Sequence, residues 1–328
     1  MLSNIAFCLD PSITSIKDVV CHSCQVGKSK NLPFSFSTCI STKALQLIHT
    51  DVWTSPIQSV SSCKYHVVFI DDFSRFTWIY PLYTKSVVFD HFVKFKLLVG
   101  NQFSTTIKQF QFDRGGGFNS VQFQSFLKKH GIIHCKTCSH TSQQNGLAKR
   151  KLRHILETNL TLLTHSHLSN KYWVDAFLCA TYIINRLPTP ILEHISPYFK
   201  LYNKEPDYKA LRVFGCKCYP LLCPYGPHKL NFRSKSCIFL GYHHAWYKCL
   251  DPISKKVYMS KHVIFDENSF PTKDHDAISM PSKIATMDDL TFPLLVSVPL
   301  PIFTPHIYAT TSAPTSTCII FTSSYSHA

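Results

Sequence analysis

Apolar residues first recur with strand-like regularity in Leu45-Gln46-Leu47-Ile48-His49-Thr50-Asp51-Val52-Trp53, and again, after a serine-rich turn, in Tyr65-His66-Val67-Val68-Phe69-Ile70. Runs of this length bounded by turn residues predict strands, and a third, Phe76 to Leu82, completes an antiparallel meander. The period then changes. Val88, Phe92, Phe95 and Val99 recur at helical spacing, before a strand from Ile107 to Phe112 that runs into Asp113 and the turn Gly115-Gly116-Gly117. Gln122 to His130 reads as a short helix closed by Gly131, and Ile132 to Lys136 as a last strand. Gln144 to Leu163 reads as a long helix with Leu152, Ile155, Leu156 and Leu163 on its apolar side and Lys149, Arg150 and Arg153 on a basic one. Tyr172 to Arg186 predicts a further helix, stopped by Pro188.

From Leu211 the character shifts. Cys216 to Leu222, Ser236 to Gly241, Trp246 to Leu250 and Lys256 to Met259 read as short strands separated by turn residues, the pattern of a small β-barrel. Past Asp266, Ser, Thr and Pro dominate without periodicity, so residues 271–328 read as a linker or disordered tail. Residues 1–33, which end in Cys21-His22-Ser23-Cys24 and a basic stretch, are too few to fold alone.

Composition narrows the class. The chain has 328 residues, 45% of them hydrophobic, enough for a real core, and a formal charge of +15 that favours nucleic acid as partner over a merely soluble basic protein. Its 14 cysteines are scattered through apolar segments behind no secretory signal, and read as small buried residues in a reducing compartment. The apolar stretch Phe292 to Phe303 is about half of what a membrane span needs and is broken by Pro293, Pro299 and Pro301. These features point to the nucleus or cytoplasm, with neither secretion nor a membrane anchor.

Asp51 interrupts one apolar strand and Asp113 follows the end of another. Carboxylates on two neighbouring central strands are how a protein holds divalent metal for phosphoryl transfer, two Mg²⁺ ions about 4 Å apart serving the attacking and leaving oxygens. Taken alone, two such aspartates could equally be a strand-end cap and a turn.

Several strings together resemble the integrases of copia-type retrotransposons. They are Cys21-His22-Ser23-Cys24 with Gly27-Lys28, His49-Thr50-Asp51-Val52-Trp53, Phe69-Ile70-Asp71-Asp72-Phe73-Ser74-Arg75, Asp113-Arg114-Gly115-Gly116 and Gln143-Gln144-Asn145-Gly146. The order continues through Leu211-Arg212-Val213-Phe214-Gly215-Cys216, His228-Lys229-Leu230, Phe239-Leu240-Gly241-Tyr242 and His262-Val263-Ile264-Phe265-Asp266-Glu267. The resemblance implies an α/β fold: an RNase H-like mixed five-stranded sheet flanked by helices, then a small SH3-like β-barrel and the disordered tail. It divides the chain into a zinc-knuckle remnant at 1–33, an integrase catalytic core at 34–203, the barrel at 212–268 and the tail at 271–328, one segment of a longer polyprotein. The reaction it implies is trimming of the 3′ ends of element DNA and their joining to target DNA. The partners it implies are those DNAs, with a homo-oligomer left open.

The resemblance also implies an active site of two aspartates and a glutamate. Thirty-five intervening residues past Asp113, and in the glutamate's place in the string Gln144-Asn145-Gly146-Leu147-Ala148-Lys149-Arg150, this chain carries Lys149. Catalytic positions are therefore Asp51, Asp113 and Lys149, with Asp51 and Asp113 left as a weakened Mg²⁺ site. Glu157 lies eight residues further along the same helix, about 12 Å away at 1.5 Å per residue, too far to substitute. Thr54, Gly117 and Ser142 also depart from the family's residues, and the hairpin from His243 to Tyr247 is short. Cys21 and Cys24 keep the knuckle spacing of a Zn²⁺ site, but no histidine precedes His22, so half of a tetrahedral ligand set is missing. Cys135 and Cys138 share the spacing by chance. Lys149, Arg150, Lys151 and Arg153, with Lys128 and Lys129, form the candidate phosphate-contacting set. The sequence thus describes an integrase by descent, predicted inactive. A domesticated DNA-binding protein and a residual Mg²⁺-dependent strand transferase or nuclease are the alternatives.

Overall fold

The computed structural model describes residues 26–27, 41–112, 118, 120–136, 145–222 and 232–273. Every element below lies in the unit formed by residues 41–328.

The alternating segments form the strands β1 (Leu47–Thr54), β2 (Tyr65–Asp71), β3 (Thr77–Leu82), β4 (Gln109–Phe112) and β5 (Ile133–Lys136). They make one sheet in the order β3-β2-β1-β4-β5. The meander is antiparallel, whereas β4 pairs parallel with β1 and β5 parallel with β4, so β2 alone runs against the other four. That is the RNase H-like arrangement. All of β2 beyond Tyr65 is buried, as a central strand covered on both faces must be.

The helices segregate to the two faces. On the first lie α1 (Val88–Phe103) and α2 (Val121–Lys129). Val88, Phe92, Phe95 and Val99 of α1 and Phe123 and Leu127 of α2 pack there with Val67 and Phe69 of β2. Phe69 stacks on Phe95 with ring centroids 4.5 Å apart. Ser120 caps α2 by accepting the Phe123 N–H at 3.2 Å, and Gly131, at φ +64°, carries the chain out. On the second face lie α3 (Gly146–Ser166) and α4 (Trp173–Ile184), packed over Val68 and Ile70 of β2. The edge strand β3 is closed by a side chain. The Asn185 amide accepts the Thr77 N–H at 3.0 Å and donates to the Thr77 carbonyl at 2.8 Å, standing in for a further strand. A short helix α5 (Pro197–Tyr202), capped by Ser196 and started by Pro197, was not foreseen although both signals are in the sequence.

Strands β6 (Lys217–Pro220), β7 (Cys237–His243), β8 (Trp246–Leu250), β9 (Val257–Ser260) and β10 (Val263–Asp266) form a second, antiparallel sheet in the order β10-β6-β7-β8-β9. The expected four-strand pattern therefore has a fifth member, β10. Cys216, Cys218, Cys237 and Cys249 line its interior, and all seven described cysteines are free thiols.

This sheet shares a core with the helices. Ile238, Leu240 and Leu250 belong to the same apolar cluster as Phe177, Cys179 and Ala180 of α4. Tyr242 stacks on Tyr182 at 3.9 Å, and Lys248 pairs with Asp175 at 2.6 Å. Two glycines allow the approach. Gly241, at φ +124°, faces Cys179 Cβ, and Gly215 lies against Ser166 at the end of α3. Gly215 sits at φ +78°, donates to the Phe239 carbonyl, and Phe239 donates back to Cys216. Two residues thus oppose one, a glycine-type β-bulge. The first three residues of the expected tail are anchored too, since Thr272 donates to the Ser166 carbonyl and Phe270 packs edge-on against His165. The rest of that tail, from 274, lies outside the described residues.

A Cβ at Gly215 would stand 2.1 Å from Ser166 Cβ, in a backbone conformation that L side chains avoid. Gly215→Ala is expected to cost about 3 kcal/mol, from overpacking plus the left-handed backbone penalty. A urea melt of the two proteins measures it; equal midpoints would show that the two sheets are not held together here.

Candidate active site and nucleic-acid face

Side chains alternate along β1, so neighbouring residues serve opposite faces of the sheet. Ile48 and Val52 pack with the α1–α2 core, whereas Trp53 packs with the α3–α4 core. Asp51 shares the side of Trp53 and lies opposite Val68, itself in the α3–α4 core. It is half-buried on the face that carries α3 and α4, and its Oδ1 accepts the Val52 N–H at 2.9 Å. The parallel strand β4 ends at Phe112, one residue before Asp113. Asp113, the zinc-type pair Cys21 and Cys24, and Cys138 lie outside the described residues.

The start of α3 is tied to β1 directly. Asn145, fully buried, donates its side-chain amide to the Thr50 carbonyl at 3.0 Å, beside Asp51. One turn further on, Lys149 is half-buried next to the fully buried Ala148. Residues four apart share a helix face, so the side anchored at Asn145 is the side that carries Lys149. No acidic residue occupies the first turn of α3, and Glu157 is exposed. Among the described residues no group of three or more His, Cys, Asp or Glu is arranged to hold a metal ion.

The basic set divides. Arg150 and Arg153 are exposed on α3, the Arg150 guanidinium folding back over Gly146. Lys151 instead sits between the buried positions 148 and 155, half-buried near Arg75. Burial, with the Arg75 charge adding to it, pushes the Lys151 ammonium down to about 8. Lys128 and Lys129 are exposed, but α2 packs on the opposite face of the sheet, so the sheet separates them from the basic residues of α3. The sequence reading grouped them by number; the fold does not.

Two polar features went unread in the sequence. At the end of β2, Asp71 accepts from the Leu45 N–H at 2.7 Å and from Ser74 N–H and hydroxyl at 2.9 and 2.6 Å. Burial nevertheless pushes its carboxyl up. Asp72 accepts from His49 Nε2 at 3.1 Å and Arg75 at 2.9 Å. Burial opposes its charge, but the His49 hydrogen bond and the Arg75 guanidinium outweigh it and hold the carboxyl well below the usual range. This network fixes the β2–β3 turn and the His49 segment of β1. Nearer the site, His66 lies opposite Trp53, 1% exposed, boxed by Trp53 at 5.0 Å, Phe177 at 4.5 Å and Trp173 at 5.9 Å. Trp78 and Trp173 are core residues, whereas Trp246 is 49% exposed.

Family comparison agrees with this geometry. Residues 41–142 match the integrase core domain family, and residues 216–278 match the retroviral polymerase SH3-like domain family. The chain is 47% identical over 269 residues to the retrovirus-related Pol polyprotein from transposon RE1 of Arabidopsis thaliana, covering 81% of this chain and 18% of that protein. It is 43% identical over 314 residues to the corresponding RE2 polyprotein of the same plant, covering 92% of this chain and 21% of that protein. The chain carries the integrase core and SH3-like domains of a retrotransposon Pol polyprotein. The polyprotein from transposon TNT 1-94 of Nicotiana tabacum is 37% identical over 255 residues, covering 77% of this chain and 19% of that protein. The chain thus spans about a fifth of the length of these curated relatives. Among solved structures, a chain of the simian T-cell lymphotropic virus intasome in complex with PP2A regulatory subunit B56 gamma resembles it with TM-score 0.45 and 14% identity, covering 73% of this chain and 84% of that one. Among the described residues, no helix is long and apolar enough to cross a membrane.

Proposed function

We propose that this integrase core binds DNA without performing two-metal strand transfer. The observation that carries the reading is Lys149, on the side of α3 that Asn145 ties to β1 beside Asp51. Asp51 and Asp113 are the remaining candidate Mg²⁺ ligands, and the third position supplies an ammonium. Two divalent ions held close together need several carboxylate oxygens; a cation in their midst repels them. The residues present do not fit a pair of Mg²⁺ ions.

The DNA-binding part rests on the formal charge of +15 and on the exposed Arg150 and Arg153 next to Lys149. Lys128 and Lys129 would serve a separate contact across the sheet. The expected partners are the ends of the element and target DNA, with a homo-oligomer as the form that would bring two ends together. A domesticated DNA-binding role fits the same geometry.

A strand-transfer assay on the native chain with Mg²⁺ or Mn²⁺ tests the first half: no product is expected. Product that disappears with Asp113→Asn would overturn the reading. Fluorescence anisotropy tests the second. DNA affinity should fall with salt, and replacing both Arg150 and Arg153 by Gln should lower the log–log salt slope by about 1.8, at about 0.9 per phosphate contact. A slope indifferent to both residues would place the DNA elsewhere.

A further inference from the structure

Asn145 meets β1 just beyond the described pairing of β1 with β4. Asp72 N–H donates to the Leu47 carbonyl at 3.0 Å, and Gln109 N–H to the Gln46 carbonyl at 2.9 Å. Odd-numbered residues of β1 therefore turn their backbone groups toward β2, and even-numbered ones toward β4. Thr50 is even, and the described pairing of β1 with β4 stops just before it, at His49 opposite Gln111. Its carbonyl is the next acceptor on the β4 side, and the Asn145 amide takes it.

The arrangement costs something locally. Asn145 is the N-cap residue of α3, a position where asparagine normally accepts an N–H of its own helix, yet its side chain makes no such bond. Its Oδ1 is buried without a hydrogen-bond partner among the described residues. Among the described residues the tie across to β1 is what offsets these losses, and it bears on the seat of α3 on the sheet.

We propose that Asn145 is a positioning residue: by hydrogen-bonding the Thr50 carbonyl next to Asp51, it fixes how far position 149 stands from Asp51. The proposal rests on the reading of Asp51 and position 149 as site residues. Position 149 lies four residues along the same helix, a rise of about 6 Å, so a shift of the anchored turn is passed to it almost rigidly.

The test uses the chain carrying Lys149→Glu and Mn²⁺ alone as probe, followed by loss of the free-ion electron paramagnetic resonance signal. Asn145→Ala and Asn145→Ser are added separately, at a temperature where circular dichroism shows all the proteins folded. Serine is as good an N-cap as asparagine but too short to span to Thr50. Both substitutions should weaken Mn²⁺ binding by at least ~10-fold, the effect of losing a residue that orients a ligand. Asn145→Ser should recover most of the thermal stability lost in Asn145→Ala while recovering none of the affinity. Mn²⁺ affinity within twofold of the parent in Asn145→Ser would overturn the positioning role alone. Failure of the Lys149→Glu chain to bind Mn²⁺ at all would overturn the site reading and the positioning role with it.

Discussion

Lys149→Glu is expected to give this chain Mn²⁺ and Mg²⁺ binding and, with them, the strand transfer that the proposed reading denies to the native chain. At 4 Å and an effective dielectric near 20, a unit-charge pair is worth about 4 kcal/mol. Exchanging an ammonium for a carboxylate removes one such repulsion for each positive charge on the ion and installs an attraction in its place. Position 149 is half-buried, which moderates the gain. Even about 3 kcal/mol corresponds to more than a hundredfold in metal affinity. Millimolar Mn²⁺ should then raise the melting temperature of the Lys149→Glu chain and leave that of the native chain unchanged. Lys149→Gln separates the two contributions: it lifts the repulsion without adding a ligand, so weak binding and no strand transfer are expected. A folded Lys149→Glu chain that binds metal but transfers no strands would point to other departures, such as Thr54, Gly117 or Ser142, and one that binds no metal would overturn the reading of position 149.

That experiment is informative because so much around position 149 is intact. The core strands and helices were legible because each has a clear period: alternation in β1, helical spacing of Val88, Phe92, Phe95 and Val99 in α1. The short elements were harder. β10 has four residues, of which only Val263 and Phe265 pack inward, too few to show a period. Spatial grouping failed where the sheet intervenes. Lys128 and Lys129 are 20 residues or so from Lys149 in sequence, yet α2 and α3 cover opposite faces, which nothing in the local pattern encodes. The Asn145 tie was invisible for a related reason. Its partner, Thr50, lies 95 residues away, and the bond depends on which side of β1 each carbonyl faces.

His66 shows the same limit, and its consequence is large. In the sequence it is one polar residue in an apolar strand. In the fold both ring nitrogens are buried and without hydrogen-bond partners among the described residues, within a box of Trp53, Trp173 and Phe177. Burial pushes its pKa from an ordinary 6.5 down to about 3. The sign follows from where the proton goes. Between those values the unfolded chain takes up a proton that the folded chain refuses, so stability is full above pH 6.5 and is lost as pH falls toward 3. The loss is about 1.4 kcal/mol per pH unit from this residue alone, about 2 kcal/mol at pH 5 and about 5 kcal/mol once the interval is crossed.

His66→Phe, close in size and without ring nitrogens, should remove that slope. At pH 7 it should be neutral or stabilising, because it also removes two unsatisfied buried polar atoms. The measurement is the urea midpoint of both proteins at pH 7, 6, 5 and 4.5. His91, His154 and His243 are also lowered by burial, but they titrate alike in the two chains and cancel in the difference. The difference should be flat near pH 7 and widen steadily below 6.5. Parallel curves would mean that the protonated His66 ring finds a hydrogen-bond acceptor or water in solution, and that the aromatic box beside Asp51 opens far more readily than its packing implies.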